Sequence, residues 1–151
     1  VDEAIDFFKK YRENKIVNKI KSLQDVGLGY IKLGQSSSTL SGGEAQRIKL
    51  ASFLGKGENS EKIIFIFDEP TTGLHSHDIN KLLKSFYSLI EKGHSIVCVE
   101  HNLDVIKCAD WIIDLGPGGG DKGGKIVCEG APEEIIKSKK SITAQYLKKK
   151  I

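Results

Sequence analysis

The sequence predicts an α/β domain in which a largely parallel sheet is flanked by helices. Residues 62–67 (KIIFIF) and 95–99 (SIVCV) are runs of branched and aromatic residues without regular polar alternation. That is the pattern of strands covered on both faces of a parallel sheet. Residues 78–92, between them, have the length and apolar spacing of a crossover helix. Strands separated by helix-length segments indicate a layered α/β arrangement.

The remaining elements follow from periodicity and breakers. Ile5 and Phe8 predict a helix over residues 2–11, and Ile16, Ile20 and Leu23 predict another over 15–26. Gly27 and Gly29 end the second, and the serine-rich residues 30–39 read as a polar loop. A helix starts at Ser41 and runs to about Leu54, with Ala45, Ile48, Leu50, Ala51 and Leu54 on its inner surface. Residues 55–61 read as a turn, 70–76 as a loop, and Gly93 closes the crossover helix. A short helix is expected over 103–108, strands over 111–115 and 125–129, and helices from Pro132 and over 142–147. The expected organisation is one domain over 1–151: a helical lead-in and loop (1–39), a central region (40–130) and C-terminal helices (131–151).

Composition narrows the functional classes. The chain has 151 residues, 39% hydrophobic and 28% charged, with a formal net charge of +3. This is ordinary for a soluble cytosolic protein, and the charge is too small by itself to indicate nucleic-acid binding. Lys137, Lys139, Lys140, Lys148, Lys149 and Lys150 read as a solvated helix face or tail. Cys98, Cys108 and Cys128 are widely spaced and odd in number, which argues for free thiols over disulfides or a zinc site. Cys98 and Cys128 fall in apolar strands, where small buried residues are expected. No apolar stretch approaches the roughly 20 residues that span a bilayer. The chain begins with Val and contains no Met, so it is expected to be a piece of something longer.

Two segments carry the chemistry. Residues 40–47 read LSGGEAQR and residues 63–70 read IIFIFDEP. Ser41 and Glu44 have the spacing of a capping box, which alone would explain both. It does not explain Gly42 and Gly43, because each glycine in a first turn weakens a helix by about 1 kcal/mol relative to Ala. They make sense where a ligand approaches the backbone, and bare amides beside a serine hydroxyl form an anion site. Asp68 and Glu69 stand at the carboxyl end of a strand, where open α/β sheets bind ligands. Adjacent carboxylates there suit holding Mg²⁺ and polarising an attacking water.

Histidines are weaker signals. His101 follows the 95–99 strand, His75 and His77 share only the spacing of a metal pair, and His94 is expected at the surface. Residues 119–125 spell G-x-x-x-x-G-K, but Ile126 replaces the Ser or Thr of a phosphate loop and a strand pattern follows. A turn between two strands is the better reading.

LSGGEAQR and the strand ending in Asp68-Glu69 resemble the signature motif and Walker B strand of ABC-type ATPases. No G-x-x-x-x-G-K-[ST] phosphate loop precedes them, so the expected fold is a partial P-loop NTPase and half of an ATP site. Longer strings narrow the resemblance: VGLGYIKLGQ (26–35), TTGLH (71–75) and HNLDVIKCADWIIDLGPGGGDKGGKIVCEG (101–130) are similar to the UvrA family, DNA-damage-recognition ATPases of bacterial nucleotide excision repair. The similarity covers nearly the whole chain and looks like the C-terminal part of the second of two tandem ATPase units.

The resemblance implies roles residue by residue. Ser41, Gly42, Gly43 and Gln46 would contact the phosphates of one ATP, Asp68 would serve Mg²⁺, Glu69 would be the general base, and His101 would contact the γ-phosphate. His75 falls in the D-loop. ATP lies between the phosphate loop of one unit and the signature of the other, so this chain would contribute to two sites. ATP and Mg²⁺ are the implied cofactors, with zinc only in an upstream module. Implied partners are DNA, the first ATPase unit of the same polypeptide, a second UvrA copy and UvrB, without membrane association, in the cytoplasm. Two other readings stay open. One is the nucleotide-binding domain of a transporter or chromosome-maintenance ATPase; the other is a non-catalytic assembly surface.

Overall fold

A computed structural model describes residues 1–55, 61–118 and 123–151. They form two compact units, residues 1–99 and 100–151.

The first unit contains helices α1 (Asp2–Lys10), α2 (Asn14–Asp25), α3 (Gly42–Leu54) and α4 (Ser76–Glu91), and strands β1 (Ile64–Asp68) and β2 (Ser95–Val99). A short 3-10 turn, Ser37–Thr39, interrupts the serine-rich loop. The helix stops follow the glycines. Gly27 takes φ +78° beyond α2, where its N–H bonds Gln24 O and Leu28 N–H bonds Leu23 O. Gly93 does the same beyond α4, with Gly93 N–H on Ile90 O and His94 N–H on Leu89 O. Both closures satisfy terminal carbonyls through a left-handed residue that only glycine adopts cheaply.

Strands β1 and β2 pair in parallel, Ile64 opposite Ser95 through Asp68 opposite Val99. Phe65 and Phe67 bury one face against α4, whose Leu82, Phe86 and Leu89 are in the same core. Phe67 meets Phe86 at 4.8 Å between ring centres, and Phe65 meets Phe53 of α3 edge-on at 5.1 Å. The expectation of strands covered on both faces is not met. Ile64, Ile66, Val97 and Val99 are all more than half exposed. Their apolar character therefore encodes a face that the described residues do not cover. His94 also departs from expectation: it is half-buried, edge-on to Phe65 at 5.6 Å, and its Nδ1 accepts the Ile63 N–H at 3.3 Å.

The second unit contains α5 (Leu103–Ile106), β3 (Ile112–Gly116), β4 (Lys125–Gly130), α6 (Pro132–Ile135) and α7 (Ile142–Leu147). β3 and β4 pair antiparallel, with Val127 bulged between the Cys128 and Ile126 pairings. Lys125 of the G-x-x-x-x-G-K string opens β4, a strand and not a helix, whereas residues 119–122 of that string lie outside the described residues. Most of the turn expected over 55–61 also lies outside them. Ile135, Ala144 and Leu147 form this unit's core with Ile112 and Cys128. Asp114 accepts hydroxyls from Ser141 at 2.5 Å and Thr143 at 2.8 Å, joining the hairpin to the start of α7. The three cysteines are half-buried, and none is in a disulfide among the described residues. Lys150 pairs with Asp104 at 3.1 Å, which anchors one residue of the C-terminal lysine run.

Candidate functional site

Ser41 caps α3 in extended conformation. Its Oγ accepts the Glu44 N–H at 3.3 Å, and Glu44 Oε2 accepts the Ser41 N–H at 2.7 Å, completing the capping box. Tyr30 Oη donates to the other carboxylate oxygen, Glu44 Oε1, at 2.5 Å. This bond and the one from the Ser41 backbone hold the Glu44 carboxyl below its ordinary pKa. Partial burial, followed by the Glu44 bond, raises the Tyr30 phenol above its own. The helix start is thus fixed from outside by a tyrosine eleven residues upstream of the cap (41 − 30).

The two glycines differ. A Cβ on Gly42 would meet nothing within 4 Å, so this residue presents open backbone. Gly43 is buried, and a Cβ there would stand 3.2 Å from Arg47 Nη1 and 3.5 Å from both Glu69 O and Thr72 O. One glycine leaves room for a ligand; the other leaves room for the loop that follows β1.

At the end of β1, Asp68 and Glu69 are exposed. Glu69 has φ +47°, a left-handed conformation that costs about 1–3 kcal/mol for a residue with a side chain. Main-chain bonds on both sides hold it there: Glu69 N–H to Val99 O at 2.9 Å and Thr72 N–H to Glu69 O at 3.1 Å. Such conformations persist where the surroundings over-determine them, commonly at sites of function.

Gln46 uses its side-chain amide on the strand end. It donates from Nε2 to Asp68 O at 3.0 Å and accepts Asp68 N–H on Oε1 at 3.1 Å. The reason is register. Asp68 is the last residue of β1 and, among the described residues, no strand pairs with its backbone groups on this side, so a side-chain amide takes the place of one. Arg47 adds a second link that sequence reasoning missed. It is fully buried, and Nη1 donates to Pro70 O at 2.6 Å and Thr72 O at 3.4 Å while Nη2 donates to Tyr30 Oη at 3.4 Å. A signal existed: residues 43, 47, 50 and 51 form the buried stripe of α3, and Arg47 is its one cation. Ala45, expected on that surface, is exposed.

The first unit therefore brings together Ser41, Gly42, Gly43, Gln46, Asp68 and Glu69 through α3 and the end of β1. His75 is the exposed N-cap of α4, and its carbonyl accepts the Asp78 and Ile79 N–H groups. His101 belongs to the second unit, exposed, with its N–H on Glu100 Oε2 at 3.0 Å. Among the described residues there is no group of three or more His, Cys, Asp or Glu that could hold a metal. Nor is any described helix long and apolar enough to cross a membrane.

No family model matches the chain. Individual proteins do. UvrABC system protein A of Clostridium perfringens is 56% identical over 149 residues, 99% of this chain and 16% of that protein. The UvrABC system protein A of Mycoplasmopsis pulmonis is also 56% identical, over 151 residues, and that of Aquifex aeolicus 56% over 149. The chain thus spans only 16% of the length of these curated relatives. The crystal structure of UvrA2 from Deinococcus radiodurans superposes with a TM-score of 0.81 at 43% identity, covering 98% of this chain and 18% of that one. A bacterial Atm1-family ABC exporter superposes with a TM-score of 0.58 at 17% identity over 88% of this chain and 23% of its own, which shows shared fold alone. Along nearly all of its length, then, this α/β chain carries the sequence and fold of a segment of the UvrA family.

Proposed function

We propose that this chain supplies parts of two ATP sites in a DNA-damage-recognition ATPase of nucleotide excision repair. The observation that carries this is the pairing, in one unit, of an open glycine-serine helix start with two exposed carboxylates at a strand end, Glu69 held in a left-handed conformation. Ser41 and the Gly42 and Gly43 amides bind the phosphates of one nucleotide, where the positive end of α3 favours anions. Asp68 and Glu69 serve a second nucleotide, whose phosphate loop lies elsewhere in the protein.

The donor set suits Mg²⁺, which keeps several waters and needs only one or two carboxylates beside phosphate oxygens. Asp68 is exposed at the strand end and would hold the ion directly or through water. Bound there, Mg²⁺ would neutralise charge on the phosphates. Glu69 takes the proton of the attacking water; for His101 the family resemblance supports contact with a γ-phosphate. Zinc belongs to a module outside this chain. DNA, the first ATPase unit, a second copy and UvrB are the proposed partners, in the cytoplasm.

Removing a positioned general base costs about 10²–10⁴ in rate. Glu69→Gln in the full-length protein should lose ATP turnover by that factor while retaining ATP binding. Normal turnover in that variant would refute the assignment.

A second reading, an assembly surface without chemistry of its own, draws on the exposed apolar face of Ile64, Ile66, Val97 and Val99. Sedimentation with and without the rest of the protein, followed by an ATPase assay on the mixture, separates the two: assembly without hydrolysis favours the second.

A further inference from the structure

We infer that Gln46 and Arg47 are positioning residues, which lock the phosphate-binding helix start to the carboxylate-bearing strand end so that the two sites share one rigid geometry. The inference rests on the two-site reading above and assigns a role that reading does not contain.

The linkage is double and asymmetric. Gln46 holds the Asp68 backbone by two bonds, donating to its carbonyl and accepting from its N–H. One residue on, Arg47 bonds the carbonyls of Pro70 and Thr72, beyond the carboxylate pair. Asp68 and Glu69 are therefore bracketed by contacts from two consecutive residues of α3. Gly43, one turn before Arg47, packs where an added Cβ would stand 3.5 Å from the Glu69 and Thr72 carbonyl oxygens. Arg47 Nη2 also reaches Tyr30 Oη, whose hydroxyl proton goes to Glu44 of the capping box. A chain of contacts thus runs from the Ser41 cap through Glu44, Tyr30 and Arg47 to the loop holding Glu69.

The chemistry of these side chains suits the task. A glutamine amide matches the donor and acceptor of one peptide group, as a neighbouring strand would. A guanidinium presents several donors in a fixed plane and can span two carbonyls, which a lysine ammonium does less well. Because Arg47 is fully buried, its carbonyl partners must stay in place, since a buried cation left without them is strongly unfavourable. A carboxylate displaced by about 1 Å from its productive position can cost about 10²-fold in rate.

The test uses the full-length protein with Gln46→Ala, Arg47→Lys and Glu69→Gln, reading steady-state kcat, KM and ATP affinity together. Positioning roles require Gln46→Ala to lower kcat by about 10–100-fold with ATP affinity within about twofold of wild type. Gln46→Glu, which keeps the acceptor but loses the donor, should fall between. If Gln46→Ala loses affinity and kcat by the same factor, Gln46 is a ligand contact and the inference is overturned. It is equally overturned if Gln46→Ala turns over at the wild-type rate while Glu69→Gln is inactive, an outcome that leaves the ATPase reading intact. Normal turnover in Glu69→Gln instead removes that reading, and this inference with it. Should Arg47→Lys fail to fold, the half-buried Gln46 decides alone, because its removal leaves no charge unpaired.

Discussion

Gly43 stands so close to Arg47 that a Cβ on the glycine would lie 3.2 Å from the guanidinium Nη1, whereas a Cβ on the preceding Gly42 would touch nothing within 4 Å. Adjacent glycines of one motif therefore have different surroundings, one open and one packed. Gly42→Ala should leave this chain as stable as before or stabilise it by up to about 1 kcal/mol, the ordinary gain of Ala over Gly in a helix. Gly43→Ala should be about 1–3 kcal/mol less stable than Gly42→Ala, since the new methyl must push aside a buried side chain. Urea unfolding of both variants checks this; equal stabilities would mean that the packing difference has no energetic weight. In the full-length protein Gly42→Ala should nonetheless impair ATP turnover, because its methyl occupies the ligand's approach.

The capping box should make stability depend on acid. Hydrogen bonds from Tyr30 and from the Ser41 backbone lower the folded-state pKa of Glu44. The unfolded chain then takes up the proton first. The stabilisation is complete above the ordinary glutamate range, about pH 4.3, and is lost as pH falls through the folded value. Wild type should exceed Glu44→Gln in stability at pH 7, and the gap should close below the folded-state pKa. Tyr30→Phe removes the first cause of the shift, so an NMR titration should find the Glu44 carboxyl moved up in that variant.

The isolated chain is expected to bind ATP weakly and to show no measurable hydrolysis. Phosphate loops supply most phosphate contacts through backbone amides and a lysine, and the sequence G-x-x-x-x-G-K-[ST] does not occur here. Isothermal titration with ATP and Mg²⁺ tests it; tight binding would refute it.

The bare sheet face gives a fourth test. Ile66→Thr and Val97→Thr replace residues that are 74% and 52% exposed, so each should alter the stability of this chain by no more than about 0.5 kcal/mol. Phe67→Ala, on the covered face of the same strand, should cost about 3–5 kcal/mol. Comparable losses on both faces would show that the exposed residues have a covering partner.

Elements were legible where the signal is local. Gly27 and Gly93 end α2 and α4 because a left-handed residue closes each helix, and Ser41 begins α3 because its hydroxyl accepts an amide three residues on. Bonds of this kind join residues within one turn, so the order of residue types specifies them. The candidate site was legible in part for the same reason: Ser41, Gly42, Gly43, Asp68 and Glu69 sit at element ends that sequence patterns mark.

What lay beyond a local reading is what joins those ends. That Gln46 turns to the Asp68 backbone, 22 positions away, and that Arg47 is buried against Pro70 and Thr72 depend on where α3 crosses the end of β1. Likewise, the apolar runs of β1 and β2 announced faces that want cover, but tertiary packing decided which face receives it. By itself the sequence determined the α/β class, the helix boundaries set by caps and glycines, and the two motifs with their family. The tertiary structure alone decided how those motifs are held against each other, because side-chain contacts between distant segments depend on the packing of whole elements and not on neighbours along the chain.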